Sequence, residues 1–397
     1  MTHDASALRG AARGRSSSSG SSDQPTAPDP GPARGWDPAA GPPVGPVLAL
    51  DLGGTHLRTA VVTPDGAIHA RRHARTPPLP ADAIMADAIT SLEASRAAFD
   101  STEPLIGLGV SAPGPLDPQR GILIDPPNMD PGFRGFPMAE RLRRALGLRA
   151  FVERDTHVAA LAEARFGAAR GLTDFVYLTV STGVGGAIVS GGRLLTGPDG
   201  VAGELGHLPV DMDGPVCGCG ARGHFERLSS GSGMARSARD ALEDGSATPL
   251  LRELEARLGA AGIEGRHLAE AEAQGDPVAS AILERGRRAF VAAVVGIVDV
   301  FNPQRVIVGG GVTLAQGERL LGPAREAVRR HAFRVQAARA EVVPAELGDD
   351  VGLVGVLPLV VAGLASDGRA PGPAPSLDRP VEVQSRIISP PTPATAH

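Results

Sequence analysis

His207, Cys217, Cys219 and His224 fall within one glycine-rich stretch, residues 203–226, in the spacing H-x9-C-x-C-x4-H. Imidazole and thiolate are ligands of borderline softness, and four of them on one loop suit a closed tetrahedral zinc site. Gly206, Gly214, Gly218, Gly220 and Gly223 let such a loop double back so that the ligands converge. A disulfide inside C-x-C would close a small, strained ring, so metal is the better use of the pair. The plain alternative is two buried thiols and two solvated histidines. Glu204 and Glu226 bracket the loop. Carboxylates held at fixed angles accept hydrogen bonds well from the hydroxyls of a polyol or sugar.

A second kind of chemistry is spread over three glycine clusters. Asp51, Gly53, Gly54 and Thr55 form a D-x-G-G-T turn between two apolar runs. Thr182, Gly183, Val184 and Gly185 lie within a Ser-Thr-Gly-Val-Gly-Gly turn of similar character, and Gly309, Gly310 and Gly311 end a third apolar run. Backbone N–H groups and a hydroxyl at such tips can cradle an anion. One tip alone could be an ordinary hairpin turn; two alike make coincidence a poorer account. Asp155 stands where a strand gives way to a helix, as a helix-capping carboxylate or as a functional one, and the helix dipole favours its ionised form.

Composition narrows the options. The chain has no lysine, so all 39 basic residues are arginine. That excludes a Walker-A lysine, a protein-kinase strand lysine and a Schiff-base lysine. Net charge is −5 and no basic block stands out, so no nucleic-acid partner is expected. Two cysteines in one loop indicate a reducing compartment, hence a cytoplasmic protein. No apolar run reads as long enough for a membrane span, and no signal core precedes the body.

Elements must hold these groups in place. Residues 1–45 and 366–397 are rich in Ser, Gly, Pro and Ala and are expected to be disordered. Between them, strand patterns cover 47–51, 57–62, 105–111, 150–153, 175–180, 187–189 and 306–308. Helical patterns cover 83–95 with Asp82 as N-cap, 137–146, 157–166, a helix opened by Asp276-Pro277, and 351–364. No sequence repeat of fixed period is present.

Strand–GGT–strand, strand–STGVGG–strand and strand–GGG in this order, with an acidic helix start between the first two and the metal loop pattern at 203–226, resemble the ROK family (repressor, open reading frame, kinase), and within it the glucokinase-like sugar kinases. The resemblance covers about 47–364. It implies an α/β fold of the duplicated actin-like (ribonuclease H-like) kind. One lobe would be 46–155 with a C-terminal helix at about 349–365, the other 156–348. It implies ATP-dependent phosphorylation of a hexose, glucose first and N-acetylhexosamines or fructose as alternatives, with ATP, Mg2+ and structural Zn2+ and a homodimer or homotetramer. The two Gly/Thr turns then hold phosphates near Mg2+ at Asp51, and Gly309–Gly311 lies against adenosine. Asp155 matches the general base; Asn128, Glu204, His207 and Glu226 match sugar contacts; His207, Cys217 and Cys219 match zinc ligands. The chain departs from the family where His224 replaces a cysteine and where Arg154 replaces an asparagine that touches sugar. Sugar-responsive repressors in the family carry an N-terminal helix-turn-helix, for which residues 1–45 show neither periodicity nor basic clustering.

Overall fold

The structure, a computed structural model, describes residues 45–127 and 129–367. Most of the two expected disordered segments therefore lies outside the described residues, as does Asn128; Ser366 and Asp367 instead end a helix.

β1 (Val47–Leu52) and β2 (His56–Val62) pair antiparallel around the first glycine turn, with Asp51 opposite Arg58. β3 (Ile68–Arg75) extends the pair. α1 (Ala81–Ala97) begins earlier than its spacing predicts, and Asp82 is not its cap. Asp130, 49 residues away, accepts the Ala81 N–H at 3.0 Å, while Asp82 pairs with Arg141 at 2.6 Å. β4 (Leu108–Ala112), a small hairpin of β5 (Leu116–Asp117) and β6 (Ile122–Leu123), α2 (Met138–Leu146), β7 (Ala150–Arg154) and α3 (Asp155–Phe166) follow. The second half opens with β8 (Phe175–Val180), β9 (Val184–Ser190) and β10 (Arg193–Leu194). Then come α4 (Phe225–Ser229), α5 (Gly231–Glu243), α6 (Pro249–Leu258), α7 (Gly265–Ala273) and the long α8 (Pro277–Phe301). Asp276 caps α8 as expected, accepting the Ala279 N–H at 2.8 Å. β11 (Arg305–Gly309), α9 (Gly311–Gln316), α10 (Glu318–His331), α11 (Arg334–Ala337), β12 (Glu341–Pro344), α12 (Val351–Val354) and α13 (Val356–Asp367) complete the order.

Two five-stranded sheets result, in the orders β3-β2-β1-β4-β7 and β10-β9-β8-β11-β12. In each, an antiparallel meander joins two parallel strands. The architecture is α/β and repeats, although the sequence shows no fixed period. Parallel strands buried on both faces read as continuous apolar runs, which is how 306–308 is recognisable. The candidate residues Asp51, Asp155 and Gly309 lie at or just beyond the carboxyl ends of β1, β7 and β11, where such sheets commonly bind ligands.

α3 is buried from Thr156 to Ala164, and its four alanines let neighbours approach closely. Its core draws Val47 and Ala49 from one sheet, Phe175 and Ile307 from the other, and Leu353, Val356 and Val360 from the C-terminal helices. The helical stretch 348–366, with mean hydropathy 1.6, is long and apolar enough to cross a membrane, contrary to the sequence expectation. More than half of it is buried inside the protein, where α12 and α13 pack on β1, β4 and α3.

Candidate active site

Asp51 is the penultimate residue of β1, and Arg58 Nη1 donates to its Oδ2 at 3.1 Å. Sequence reasoning misses Arg58, although its register opposite Asp51 in the hairpin signals it. Gly352 of α12 lies on the carboxylate; a Cβ there would come within 2.7 Å of Asp51 Cγ. Burial pushes the Asp51 carboxyl up, and Arg58 only partly offsets this. The turn beside it is closed by the Gly53 N–H donating to His56 O at 2.8 Å. Thr76 braces it through Gly53 O and Thr55 O. Gly53 therefore has no amide to offer an anion, and Gly54 and Thr55 form the exposed tip.

Arg154 takes the cap position of α3, so Asp155 is the first helical residue and not the cap. Its Oδ1 accepts the Thr156 N–H at 2.7 Å. Among the described residues no hydrogen bond engages Oδ2. The side chain is exposed, yet protein surrounds it on most sides. Burial pushes its carboxyl up and the nearby charge of Asp51 adds to this, against the Thr156 amide, Arg154 and His157. Glu153 steadies this corner: its Oε1 accepts the Arg154 N–H at 2.9 Å and lies 3.0 Å from Nδ1 of the fully buried His157.

The second glycine turn, Thr182–Gly185, packs against the start of α3, where a Cβ at Gly185 would sit 2.7 Å from Thr156 Cγ2. The Val184 N–H donates to Glu226 Oε2 at 2.9 Å. Glu226 thus braces this turn with one oxygen, and Val184 has no amide left for an anion. Gly310, at φ 93°, lies against the end of β8, where a Cβ would meet Val180 O at 2.4 Å. The Gly309–Gly311 strand end therefore adjoins the second turn. Arg154 Nη1 donates to Ala202 O at 3.0 Å, and Nη2 pairs with Glu204 Oε1. The arginine is engaged by protein rather than offered to a ligand.

The structure also brings the four metal-type residues together. His207 and His224 Nδ1 lie 3.2 Å apart, Cys219 Sγ lies 3.2 Å from His224 Nδ1, and all four ligand atoms fall within 4.8 Å of one another. Zinc bonds of about 2.0–2.3 Å place tetrahedral ligand atoms roughly 3.3–3.8 Å apart, so the donor set fits the ion with a small contraction. Burial, then the neighbouring His207, lowers His224 toward the neutral form that ligates. Gly223, at φ 63°, permits the loop's return: a Cβ there would fall 1.4 Å from Asp211 O. With its Nδ1 in the cluster, His207 keeps Nε2 for another partner.

Residues 47–362 match the model of the ROK family. A glucokinase of Thermotoga maritima is 36% identical over 317 residues, 79% of this chain and 96% of the relative. An N-acetylmannosamine kinase of Shigella flexneri is 34% identical over 310 residues, 78% of this chain and 96% of the relative. The solved structure of a ROK family glucokinase from Streptomyces griseus, in complex with glucose and AMPPNP, is 34% identical with a TM-score of 0.63. That similarity covers 82% of this chain and 100% of that one.

Proposed function

The chain belongs to the ROK family, and from that premise we propose that it transfers the γ-phosphoryl group of ATP to a hexose hydroxyl, the 6-hydroxyl of glucose in the first instance. The observation that carries the proposal is Asp155: a carboxylate with a free oxygen at the start of α3, beside Asp51 and against the second glycine turn. Phosphoryl transfer is mainly positioning and charge stabilisation. Asp155 accepts the proton of the attacking hydroxyl. The tip amides of Gly54 and Thr55 and the turn at Thr182–Gly183 hold the phosphates, with Gly309–Gly311 beside the nucleoside. Asp51 would hold Mg2+, which would supply neutralisation of the phosphate charge.

Zinc, held by His207, Cys217, Cys219 and His224, would be structural and orient His207 Nε2, Glu204 and Glu226 toward the sugar. Asn128, from the family match, joins the proposed sugar contacts. We further propose two lobes, 46–155 with the C-terminal helix and 156–348, a division supported by the packing of α13 on β1, β4 and β7. A cytoplasmic location and a homodimer or homotetramer complete the proposal. The N-acetylmannosamine kinase relatives favour a second reading, with an N-acetylhexosamine as acceptor. ADP release with Mg2+-ATP across a panel of hexoses and N-acetylhexosamines tests both. A purified, folded chain that turns over none of them would overturn the proposal.

A further inference from the structure

We infer that Arg154 is a positioning residue that acts through Glu204, fixing this carboxylate for the acceptor sugar instead of touching the sugar itself. The inference rests on the kinase reading above and deepens it.

Both terminal nitrogens of the guanidinium are engaged by protein. Its side chain is 6% exposed, Nη1 donates to Ala202 O at 3.0 Å, and Nη2 pairs with Glu204 Oε1. Nε is buried without a partner among the described residues. It lies against the turn at Gly114, where a Cβ would come within 3.0 Å of it. The arginine is thus buried, with Nη1 and Nη2 each engaged by protein. Glu204 is the reverse: its side chain is 47% exposed, and no protein hydrogen bond holds its Oε2 among the described residues.

The planar fork of the arginine engages this segment at two points, Nη1 on Ala202 O and Nη2 on Glu204 Oε1, and so sets its orientation in a way that a point charge does not. Arg154 is itself held from behind, because the Glu153 carboxylate accepts its backbone N–H at 2.9 Å. The pair therefore ties residues 202–204 to the strand end that carries Asp155. An asparagine at 154 would be too short to span this gap and would leave Glu204 free to turn. The replacement converts a direct sugar contact into an indirect one, with Glu204 presenting a single aimed oxygen.

A double-mutant cycle tests this on the full-length chain with Mg2+-ATP and the best hexose substrate. The variants are Arg154→Met, Arg154→Lys, Glu204→Gln and the Met/Gln double. Sugar KM, ATP KM, kcat, calorimetric sugar affinity and melting temperature are measured for each. Arg154→Met should raise sugar KM roughly tenfold, with ATP KM unchanged and kcat less affected. Arg154→Lys should recover only part, because it keeps the charge without the fork. In the Glu204→Gln background the Arg154→Met penalty should largely vanish. Additive penalties would mean that Arg154 meets the sugar on its own account and would overturn the inference. So would a lowered melting temperature with unchanged sugar KM. Should Arg154→Met fail to fold, the lysine variant carries the same cycle. A folded wild type that phosphorylates no hexose overturns the kinase reading and this inference with it, whereas an active wild type with additive penalties overturns the inference alone.

Discussion

At the scale of single residues, Asp155 is held in an environment that opposes its own charge. Burial is the main cause and the Asp51 carboxylate adds to it, so the proton is bound more tightly in the folded chain than in the unfolded one. The sign for stability follows. Asp155 favours the fold below the ordinary carboxyl value of 3.8, and that contribution is lost as pH rises through the raised folded value. At neutral pH the ionised carboxylate therefore opposes the fold, a cost of the kind that groups kept for function can carry. Asp155→Asn is therefore predicted to lower turnover by a factor of about 100 or more while leaving melting temperature at pH 7 unchanged or higher. Steady-state kinetics and thermal melts of the one variant check both halves; near-normal turnover would remove Asp155 from catalysis. The same shift makes a second prediction. The acidic limb of kcat/KM should lie above the ordinary carboxyl range, since the base must be ionised to accept the proton. A limb at or below 3.8 in a pH–rate profile would contradict the raised value.

At the scale of elements, the convergence of His207, Cys217, Cys219 and His224 is the part most legible in the sequence, because the four lie within 18 residues of one another and glycines announce the turns. Purified without chelator, the chain is predicted to carry about one zinc. Cys219→Ser should release or weaken the metal and, by loosening Glu204–Glu226, lower sugar affinity more than ATP affinity. His224→Cys should retain zinc and serves as the control. Elemental analysis with calorimetry on the three proteins decides, and a metal-free, fully active wild type would sink the assignment. The existence of the first hairpin is equally legible, but its register, Asp51 opposite Arg58, follows only once the turn is seen to centre on Gly54 and Thr55. What local pattern could not supply is any pairing across long stretches of chain. Asp130 reaching the start of α1, Glu226 bracing the second turn and Arg154 seizing Glu204 all depend on tertiary packing. That is why Asp82 reads as a cap until the fold is seen, and why the partners of Arg154 could not be read beforehand. No residue type or spacing announces such partners.

At the scale of the whole molecule, the C-terminal stretch shows how one composition can serve two physical ends. Residues 348–366 have the length and hydropathy of a membrane span. The fold uses them as a core element. Leu353, Val356, Leu357 and Val360 are at most 1% exposed. The fit is close: a Cβ at Gly109 of β4 would fall 2.4 Å from Val356 Cβ, and one at Gly355 would fall 2.1 Å from Val158 O of α3. α12 also sets Gly352 on Asp51, so the segment that fills the core completes the site as well. Removing it would uncover the inner face of α3 and the first sheet together. Each large apolar side chain lost from a core costs about 2–5 kcal/mol, against a total stability of roughly 5–15 kcal/mol for a typical domain. A chain ending at Leu347 is therefore predicted to be unfolded or insoluble, and Gly109→Val to lower the melting temperature through the clash with Val356. A membrane role predicts the opposite, because cutting away an anchor releases an intact soluble body. Soluble yield, thermal melting and sugar-kinase activity of the truncated chain separate the two; a folded, active truncated protein would return this helix to the membrane.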